Sequence, residues 1–373
     1  MGREMTDSEA YVALNLMERI GPVSVRGLAT ACGSVRALMT ESASALRSIE
    51  DAARSAVEAL IAQRDNIPWE AELEKCAASG IRVLTPVDAE YPDALRQIHD
   101  PPLALYIKGG LLKRDSNGIA IVGTRRPSLY GNTTAERLAG GLARAGLTVV
   151  SGMAAGIDSA AHRGALDAGG RTIGVIGSGF RHFYPPENEK LAALVADGKG
   201  AVMSEFPLER VPDKTTFPMR NRIVSGISRG AVIVEASPRS GAMITARMAL
   251  EQGRTVFAVP GRVDSARSRG PHCLLRDGAV LVESSGDILA EFDELPLGGN
   301  NVRTPAAGRV TMSVEELAIV EQLETEPMNI DALLRSTGLG VGKVHAALVS
   351  LEMKRVVRTH AGQVVALIDG EGK

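Results

Sequence analysis

Three cationic side chains flank a lone aromatic residue in the segment Lys214-Thr215-Thr216-Phe217-Pro218-Met219-Arg220-Asn221-Arg222. Aromatic residues are only 3% of the chain, so a ring in such a basic setting calls for an explanation. A ring that stacks on a base, beside Arg and Lys side chains that neutralise phosphates, is typical of sites for unpaired nucleic acid. The same spacing fits a solvated charge run with Phe217 in the core, and the spacing alone leaves both interpretations open.

Small residues and glycines follow several short apolar runs, where a phosphate could approach the backbone closely. The predicted rim residues are Gly123 and Arg125 after the first run, Gly152 after the second, Gly177 and Gly179 after the third, and Ser240 and Gly241 after the fifth. Ligands of open parallel sheets bind beyond the carboxyl ends of the strands. These turns therefore predict an anion-accepting edge, although tight strand-to-helix turns also require glycine for purely structural reasons.

The elements that must position these residues are apolar runs alternating with helical stretches. Strands are predicted at 119–122, 147–150, 172–176, 201–203, 231–234 and 255–259, and helices at 134–145, 159–168, 188–197 and 242–252. A further helix is predicted to begin near Pro218 and continue to Ile227. Because parallel strands need crossover connections, this alternation predicts an α/β fold with an extended Rossmann-like parallel sheet covered on both faces.

Two smaller regions flank this core. Residues 1–70 have apolar residues at helical spacing and a break at Gly21-Pro22, which predicts a helical domain resembling SAM or helix-hairpin-helix modules. The core is assigned to 71–293. A linker is assigned to 294–311, where proline residues and a Gly-Gly pair interrupt regular secondary structure. Residues 312–373 predict three helices and a hairpin, a winged-helix pattern. Its 313–369 stretch carries five basic and eight acidic residues, which favours protein contact or regulation over reading of DNA.

Signatures of catalysis and of cofactor binding are incomplete. His182 occupies the third glycine position of a G-x-G-x-x-G motif that starts at Gly177, and the stretch from Gly338 to Lys343 is one residue short of a P-loop. The histidines and cysteines form no metal-ligand pair, and a hydrogen bond between Asp158 and His162 is plausible as a structural feature. We therefore predict no catalytic residues, no metal and no cofactor, and hence a protein that is not an enzyme.

Composition constrains the partners. The net charge is -2, so a polyanion must be held by a local basic cleft. Three scattered cysteines favour a reducing compartment, and no stretch reaches the roughly 18 apolar residues of a membrane span. We expect a cytoplasmic protein without a membrane segment.

Ordered sequence blocks between Tyr91 and Phe292 resemble the DprA/Smf family of DNA-processing proteins. The blocks that carry the resemblance include Ile121-Val122-Gly123-Thr124-Arg125-Arg126, residues 151–158 (SGMAAGID), Tyr184-Pro185, residues 217–222 (FPMRNR) and Ala258-Val259-Pro260-Gly261. Arg181 and Thr215-Thr216 depart from the family pattern, which affects the details of the pocket near them.

The resemblance implies single-stranded DNA binding, homodimerisation, and loading of RecA onto incoming strands in natural transformation and recombination. It implies that Arg125, Lys214 and Phe217 line the DNA pocket and that Arg220, Asn221 and Arg222 form a matching R-N-R block. It also implies dimer contacts around 280–292. The alternatives are a phosphoribohydrolase, whose P-G-G-x-G-T-x-x-E loop is replaced here by residues 237–245, and a winged-helix transcription regulator.

Overall fold

The computed structural model describes residues 4–50, 53–292, 312–324, 326–354, 356–360 and 363–367. The chain divides into two compact units, Met1–Leu297 and Gly298–Lys373. The predicted linker at 294–311 lies outside the described residues. The N-terminal helices and the sheet belong to the same unit, and a boundary near residue 70 stays a prediction.

A large, mostly parallel sheet forms the centre of the first unit. Its strand order is β1-β2-β6-β5-β4-β3-β7-β8-β9. The strands are β1 (Arg82–Leu84), β2 (Leu105–Gly109), β3 (Gly118–Val122), β4 (Thr148–Ser151), β5 (Arg171–Val175), β6 (Gly200–Ser204), β7 (Ser228–Ile233), β8 (Thr255–Ala258) and β9 (Val280–Leu281). Since β3 lies between β4 and β7, the chain leaves β3 on one side and returns on the other, which makes this the topological switch point of the sheet.

Helices cover the sheet and form the N-terminal region. They are α1 (Asp7–Leu16), α2 (Pro22–Cys32), α3 (Ala37–Thr40), α4 (Ala43–Arg47), α5 (Arg54–Gln63), α6 (Trp69–Ala78), α7 (Asp93–Arg96), α8 (Leu129–Arg144), α9 (Ile157–Asp167), α10 (Glu189–Leu194), α11 (Thr216–Gly226), α12 (Gly241–Glu251), α13 (Arg269–Arg276) and α14 (Ser285–Ala290). The predicted break at Gly21-Pro22 is the start of α2, where Gly21 is the N-cap residue. The helix predicted from Pro218 begins two residues earlier, at Thr216.

The central strands are apolar on both faces because both faces are covered. In β3, Ile119 and Ile121 pack with α8 and α9, whereas Ala120 and Val122 pack with α11 and α12. All four side chains are at most 5% exposed. A continuous apolar run is the expected pattern for a parallel strand buried on two sides, and it made these strands predictable.

The edges of the sheet differ from the prediction of a wholly parallel sheet. β2 pairs antiparallel with both β1 and β6, and the two-residue β9 extends the opposite edge beside β8. β1 and β9 have only three and two residues and are partly exposed, so their sequences lack the buried apolar run that marks a central strand. β2 lies inside the sheet, and its residues Leu105, Tyr106 and Ile107 are fully buried.

The second unit has the helices and hairpin of a winged helix. Its helices are α15 (Val314–Leu323), α16 (Ile330–Thr337) and α17 (Val341–Met353), and its strands are β10 (Met328–Asn329), β11 (Val357–His360) and β12 (Val364–Leu367). The predicted capping box is present, since Ser313 Oγ accepts from Glu316 N. The two-residue β10, which pairs with β12, was not predicted. Across both units, no helix among the described residues is long and apolar enough to cross a membrane.

Candidate nucleic-acid interface

Two adjoining cavities open at the switch point, beyond the carboxyl ends of β3 and β4. The larger has a volume of about 250 Å³ and extends to the start of α12 at Gly241. The smaller, of about 100 Å³, extends to Tyr184 and Pro185. The residues lining both cavities are Arg125, Gly152, Ala154, Phe217 and Arg220. Four of the predicted site residues thus stand at the wall that the two cavities share.

Arg125 and Phe217 are in direct contact at this wall. The Arg125 guanidinium carbon lies 5.2 Å from the centroid of the Phe217 ring, a cation–π arrangement. The Tyr184 ring lies 5.7 Å from the same centroid and is tilted by 55°. A Cβ at Gly177 would lie 3.0 Å from Phe217 Cδ1, so a side chain there would push the ring away from the end of β5 by a few tenths of an ångström. The result is an exposed cation held beside two neighbouring rings.

Arg220 is a buried cation beneath the cavities. It is only 5% exposed, and its Nη1 donates to the Val175 carbonyl at 2.8 Å. Burial lowers the pKa of Arg220 to about 10, Asp158 opposes that shift, and Arg125 adds to it. The side chain therefore stays charged at neutral pH. Among the described residues its Nε has no hydrogen-bond partner, although the atom is buried.

Asp158 organises the turn that follows β4. Its Oδ2 accepts from Gly152 N at 3.0 Å and Ala154 N at 3.3 Å. Burial raises the pKa of Asp158, whereas Arg220 and the two amides lower it. A Cβ at Gly152 would lie 1.7 Å from Arg220 Nη1, so any side chain there would displace the arginine. Glycine at this position is therefore required for the close packing of Arg220 against the turn.

The start of α12 closes the far side of the larger cavity. Ser240 is the N-cap residue of α12, but its side chain makes no capping hydrogen bond, and its buried Oγ has no partner among the described residues. Asn221 Nδ2 donates to the Gly241 carbonyl at 3.2 Å and so ties α11 to this helix start. Unpaired amides at a helix N-terminus favour an anion. Gly123 faces this region from β3, packed against Ile157.

Arg222 was predicted to bind nucleic acid, and the structure does not bring it to the cavities. Its Nε donates to Asp100 at 2.9 Å and its Nη2 to Glu205 at 2.5 Å, with the side chain 6% exposed. The reason is helical geometry: Phe217, Arg220 and Asn221 share one face of α11, whereas a residue two positions after Arg220 points to another side. Arg222 is a buried ion-pair partner instead.

Two further predicted residues lie away from the cavities. The Gly179 amide donates to the Arg210 carbonyl at 2.8 Å, and a Cβ there would collide with the Pro207 and Leu208 carbonyls. Lys214 is exposed in the turn before α11 and is not among the residues that line either cavity. It lies two residues before the start of that helix.

The hydrogen bond considered for Asp158 and His162 is not formed. His162 Nδ1 is 2.7 Å from Thr172 Oγ1, and that hydroxyl donates to the Val149 carbonyl, so the ring donates to threonine. Burial, assisted by Arg220, lowers the pKa of His162 to about 3. Sequence reasoning also left Tyr184 and Asp158 out of the binding site, although both lie in blocks that it had singled out. Among the described residues, no His, Cys, Asp and Glu side chains form a metal-binding group.

Fold and site together define a Rossmann-type protein with a cationic, aromatic-lined pocket at its switch point and a separate winged-helix unit. The family described as DNA recombination-mediator protein A matches residues 82–293, and the DprA winged helix domain matches residues 303–363. The chain therefore belongs to the DprA family of DNA-processing proteins.

Similar proteins span several bacterial groups. The Smf protein of Synechocystis is 33% identical over 96% of this chain and 98% of its own. DNA processing protein DprA of Bacillus subtilis is 45% identical over 58% of this chain and 72% of its own. The crystal structure of DprA from Streptococcus pneumoniae superposes with a TM-score of 0.68 at 35% identity, covering 78% of this chain and 99% of that one.

A second solved structure bears on the site. DNA processing protein A of Helicobacter pylori, whose structure was described for its single-stranded DNA binding mode, has a TM-score of 0.51 at 31% identity. The match covers 57% of this chain and 96% of that chain.

Proposed function

We propose that this protein binds unpaired DNA in the two cavities at the switch point of its sheet. The observation that carries the proposal is the contact between Arg125 and Phe217 at the wall shared by both cavities. It places a charge for phosphate beside a ring for a base, and the single-stranded DNA binding of the Helicobacter pylori relative supports the same ligand.

Each part of the site has a distinct role in this proposal. Arg125, Ser240 Oγ and the amides at the start of α12 take phosphate oxygens, and Lys214 attracts the strand at the approach. Phe217 and Tyr184 stack on bases. Arg220 and Asn221 hold the site together from below, and Gly123, Gly152 and Gly177 let the backbone come close. Because stacking and phosphate contacts read no base edges, binding is tolerant of sequence.

Competition between a single strand and its own duplex tests this function. We expect the labelled single strand to be displaced by unlabelled single strand and poorly by duplex, because paired bases cannot stack on Phe217. With about three to five phosphates neutralised, log K falls with a slope of roughly 2 to 3.5 against log salt. Equal competition by duplex, or no salt dependence, contradicts the proposal.

We further propose that binding serves recombination by loading RecA onto the strand in the cytoplasm, without bond chemistry at the site. Asp158 supports that last point, because its carboxylate is already engaged by backbone amides. RecA filament growth on a single strand, measured with and without this protein, is the functional readout. Release of base from a nucleoside monophosphate would instead favour the phosphoribohydrolase alternative.

We also propose a homodimer formed through the region 280–292. Its β9 is an edge strand with Leu281 48% exposed, and an unpaired edge is a ready surface for a second copy. Leu281→Glu is expected to convert a dimer into a monomer in light scattering, because it buries a charge in the contact. The matched change Leu250→Glu on exposed α12 should leave the mass unchanged. A monomeric wild-type protein rules the dimer out.

A further inference from the structure

The carboxyl edge of the sheet is strongly asymmetric in charge. The segments following β3, β7 and β8, residues 123–130, 234–240 and 259–270, contain six arginines and two carboxylates, of which Glu235 is buried. The segments following β5 and β6, residues 176–188 and 205–214, contain three Lys or Arg against four carboxylates. On the second side Arg181 is paired with Glu209 at 2.6 Å and Arg210 with Asp213 at 2.5 Å. Unneutralised positive charge is therefore concentrated toward β8.

Hydrogen bonds join the segments on the basic side into one surface. Arg267 Nε donates to the Arg126 carbonyl at 2.8 Å, which ties the segment after β8 to the one carrying Arg125. The Ala236 amide donates to the Arg267 carbonyl at 2.7 Å, and the Gly270 amide donates to the Ala236 carbonyl at 2.9 Å. The segment after β8 is thus hydrogen-bonded to both of the others, including the one that carries Arg239. These are fixed contacts between segments far apart in sequence.

Four arginines of this surface remain available to a ligand. Arg126, Arg239, Arg267 and Arg269 are all exposed, and among the described residues no carboxylate lies within ion-pair distance of them. The aspartate in these segments, Asp264, lies 3.2 Å from Arg262. A polyanion is the natural partner of such a row, because each guanidinium presents a planar fork that fits a phosphate.

An aromatic ring lies within the same surface. Tyr130 is 46% exposed, and its hydroxyl donates to the Pro260 carbonyl at 2.8 Å, which holds the ring over the end of β8. An exposed ring among unpaired arginines is the combination used for unpaired strands, whereas a surface for acidic protein segments or for duplex phosphates has no use for a base-stacking face.

We propose that Arg126, Tyr130, Arg239, Arg267 and Arg269 form an extension of the binding site, along which a single strand runs from the switch-point pocket toward β8. This inference rests on the proposed function and adds to it the direction of the strand and a second stretch of contact. A strand that continued past the smaller cavity in the other direction, where Glu187 already lies in the lining, would approach the segments that carry Glu209 and Asp213.

The test compares two lengths of oligothymidine, about 6 and about 30 nucleotides, so that the short one fills the pocket alone. The variant Arg239→Gln/Arg267→Gln/Arg269→Gln keeps hydrogen-bonding groups and removes three charges. We expect about 10- to 50-fold weaker binding of the long strand, with the salt slope reduced by about 2, and little change for the short strand. The control Arg114→Gln/Arg144→Gln/Arg163→Gln removes the same charge from exposed positions outside the carboxyl edge and should bind both lengths normally.

The outcomes separate this inference from the proposed function. If the triple variant binds the long strand like the control while Arg125→Ala loses both lengths, the pocket stands and the extension is wrong. If Arg125→Ala also binds normally, both fail. If long-strand binding is intact but stimulation of RecA filament growth is lost, the arginine row contacts a protein, and the extension is again wrong.

Discussion

The double variant Arg125→Ala/Phe217→Ala is expected to lose about 2 to 4 kcal/mol of binding free energy for an unpaired oligonucleotide, about 30- to 1,000-fold in Kd. Stacking of one base accounts for about 1 to 3 kcal/mol of this and a charged phosphate contact for about 1 more. Both side chains lie at the wall common to the two cavities, so their removal affects each cavity. Fluorescence anisotropy with a labelled oligothymidine measures the change.

Controls for this variant separate charge from stacking. Arg125→Lys retains the charge and should recover part of the affinity, and Phe217→Tyr retains the ring. Arg163→Ala removes an exposed cation from α9, outside the cavities, and should bind normally. If the double variant binds within about twofold of wild type, the pocket is not the DNA site. Loss of one base-stacking contact alone should cost about 1 to 3 kcal/mol of binding free energy, which is more than twofold in Kd.

Arg222→Ala is expected to lower the free energy of unfolding of the first unit by about 3 to 5 kcal/mol, because it leaves a buried carboxylate without its partner. Glu205 is 7% exposed, and burial already raises its pKa while Arg222 opposes that shift. Asp100, the second partner, is 38% exposed and keeps contact with water. Urea unfolding followed by the fluorescence of Trp69, in α6 of the same unit, measures the effect.

Two comparisons make this prediction specific. Glu205→Leu/Arg222→Met removes both buried charges and should recover most of the lost stability, because an apolar replacement of a buried pair is often nearly neutral. Arg181→Ala breaks a half-exposed pair with Glu209 and should change stability by about 1 kcal/mol or less. If Arg222→Ala unfolds like wild type but fails to bind DNA, Arg222 belongs to the binding site and the structural role is wrong.

The sequence was sufficient for the central sheet, and it predicts a binding site at the carboxyl edge of that sheet. The runs around Ile119, Val149 and Ile173 are buried on both faces. A continuous run of apolar residues is enough to predict burial of this kind. The turns after these strands had to meet at one edge, which brought Arg125, Gly152 and Gly177 together in the prediction. β1 and β9 were missed because strands of three and two residues are too short to show a pattern, and β2 was missed although Leu105, Tyr106 and Ile107 are fully buried.

The R-N-R block shows where residue type alone was misleading. From its type alone, a basic side chain is predicted to bind phosphate. Asp100 and Glu205, which pair with Arg222, are distant from it in sequence and contact it only in the folded chain. Helical spacing from Phe217 is itself enough to separate Arg220 from Arg222, because residues two positions apart do not share a helix face. The burial of Arg220 and the contact of Tyr184 with Phe217 had no such signal, because each depends on how different strands end in space.

The parallel pairing of β3 with β7, in which Ile119 lies opposite Gly230, affects how fast the protein folds. Parallel strands so distant along the chain must close a long loop before they gain any contact, which makes assembly of this sheet slow. Arg125 and Ser240 reach the same cavity only when that closure is complete. A bound strand therefore selects fully assembled molecules and, by mass action, protects the whole first unit against unfolding.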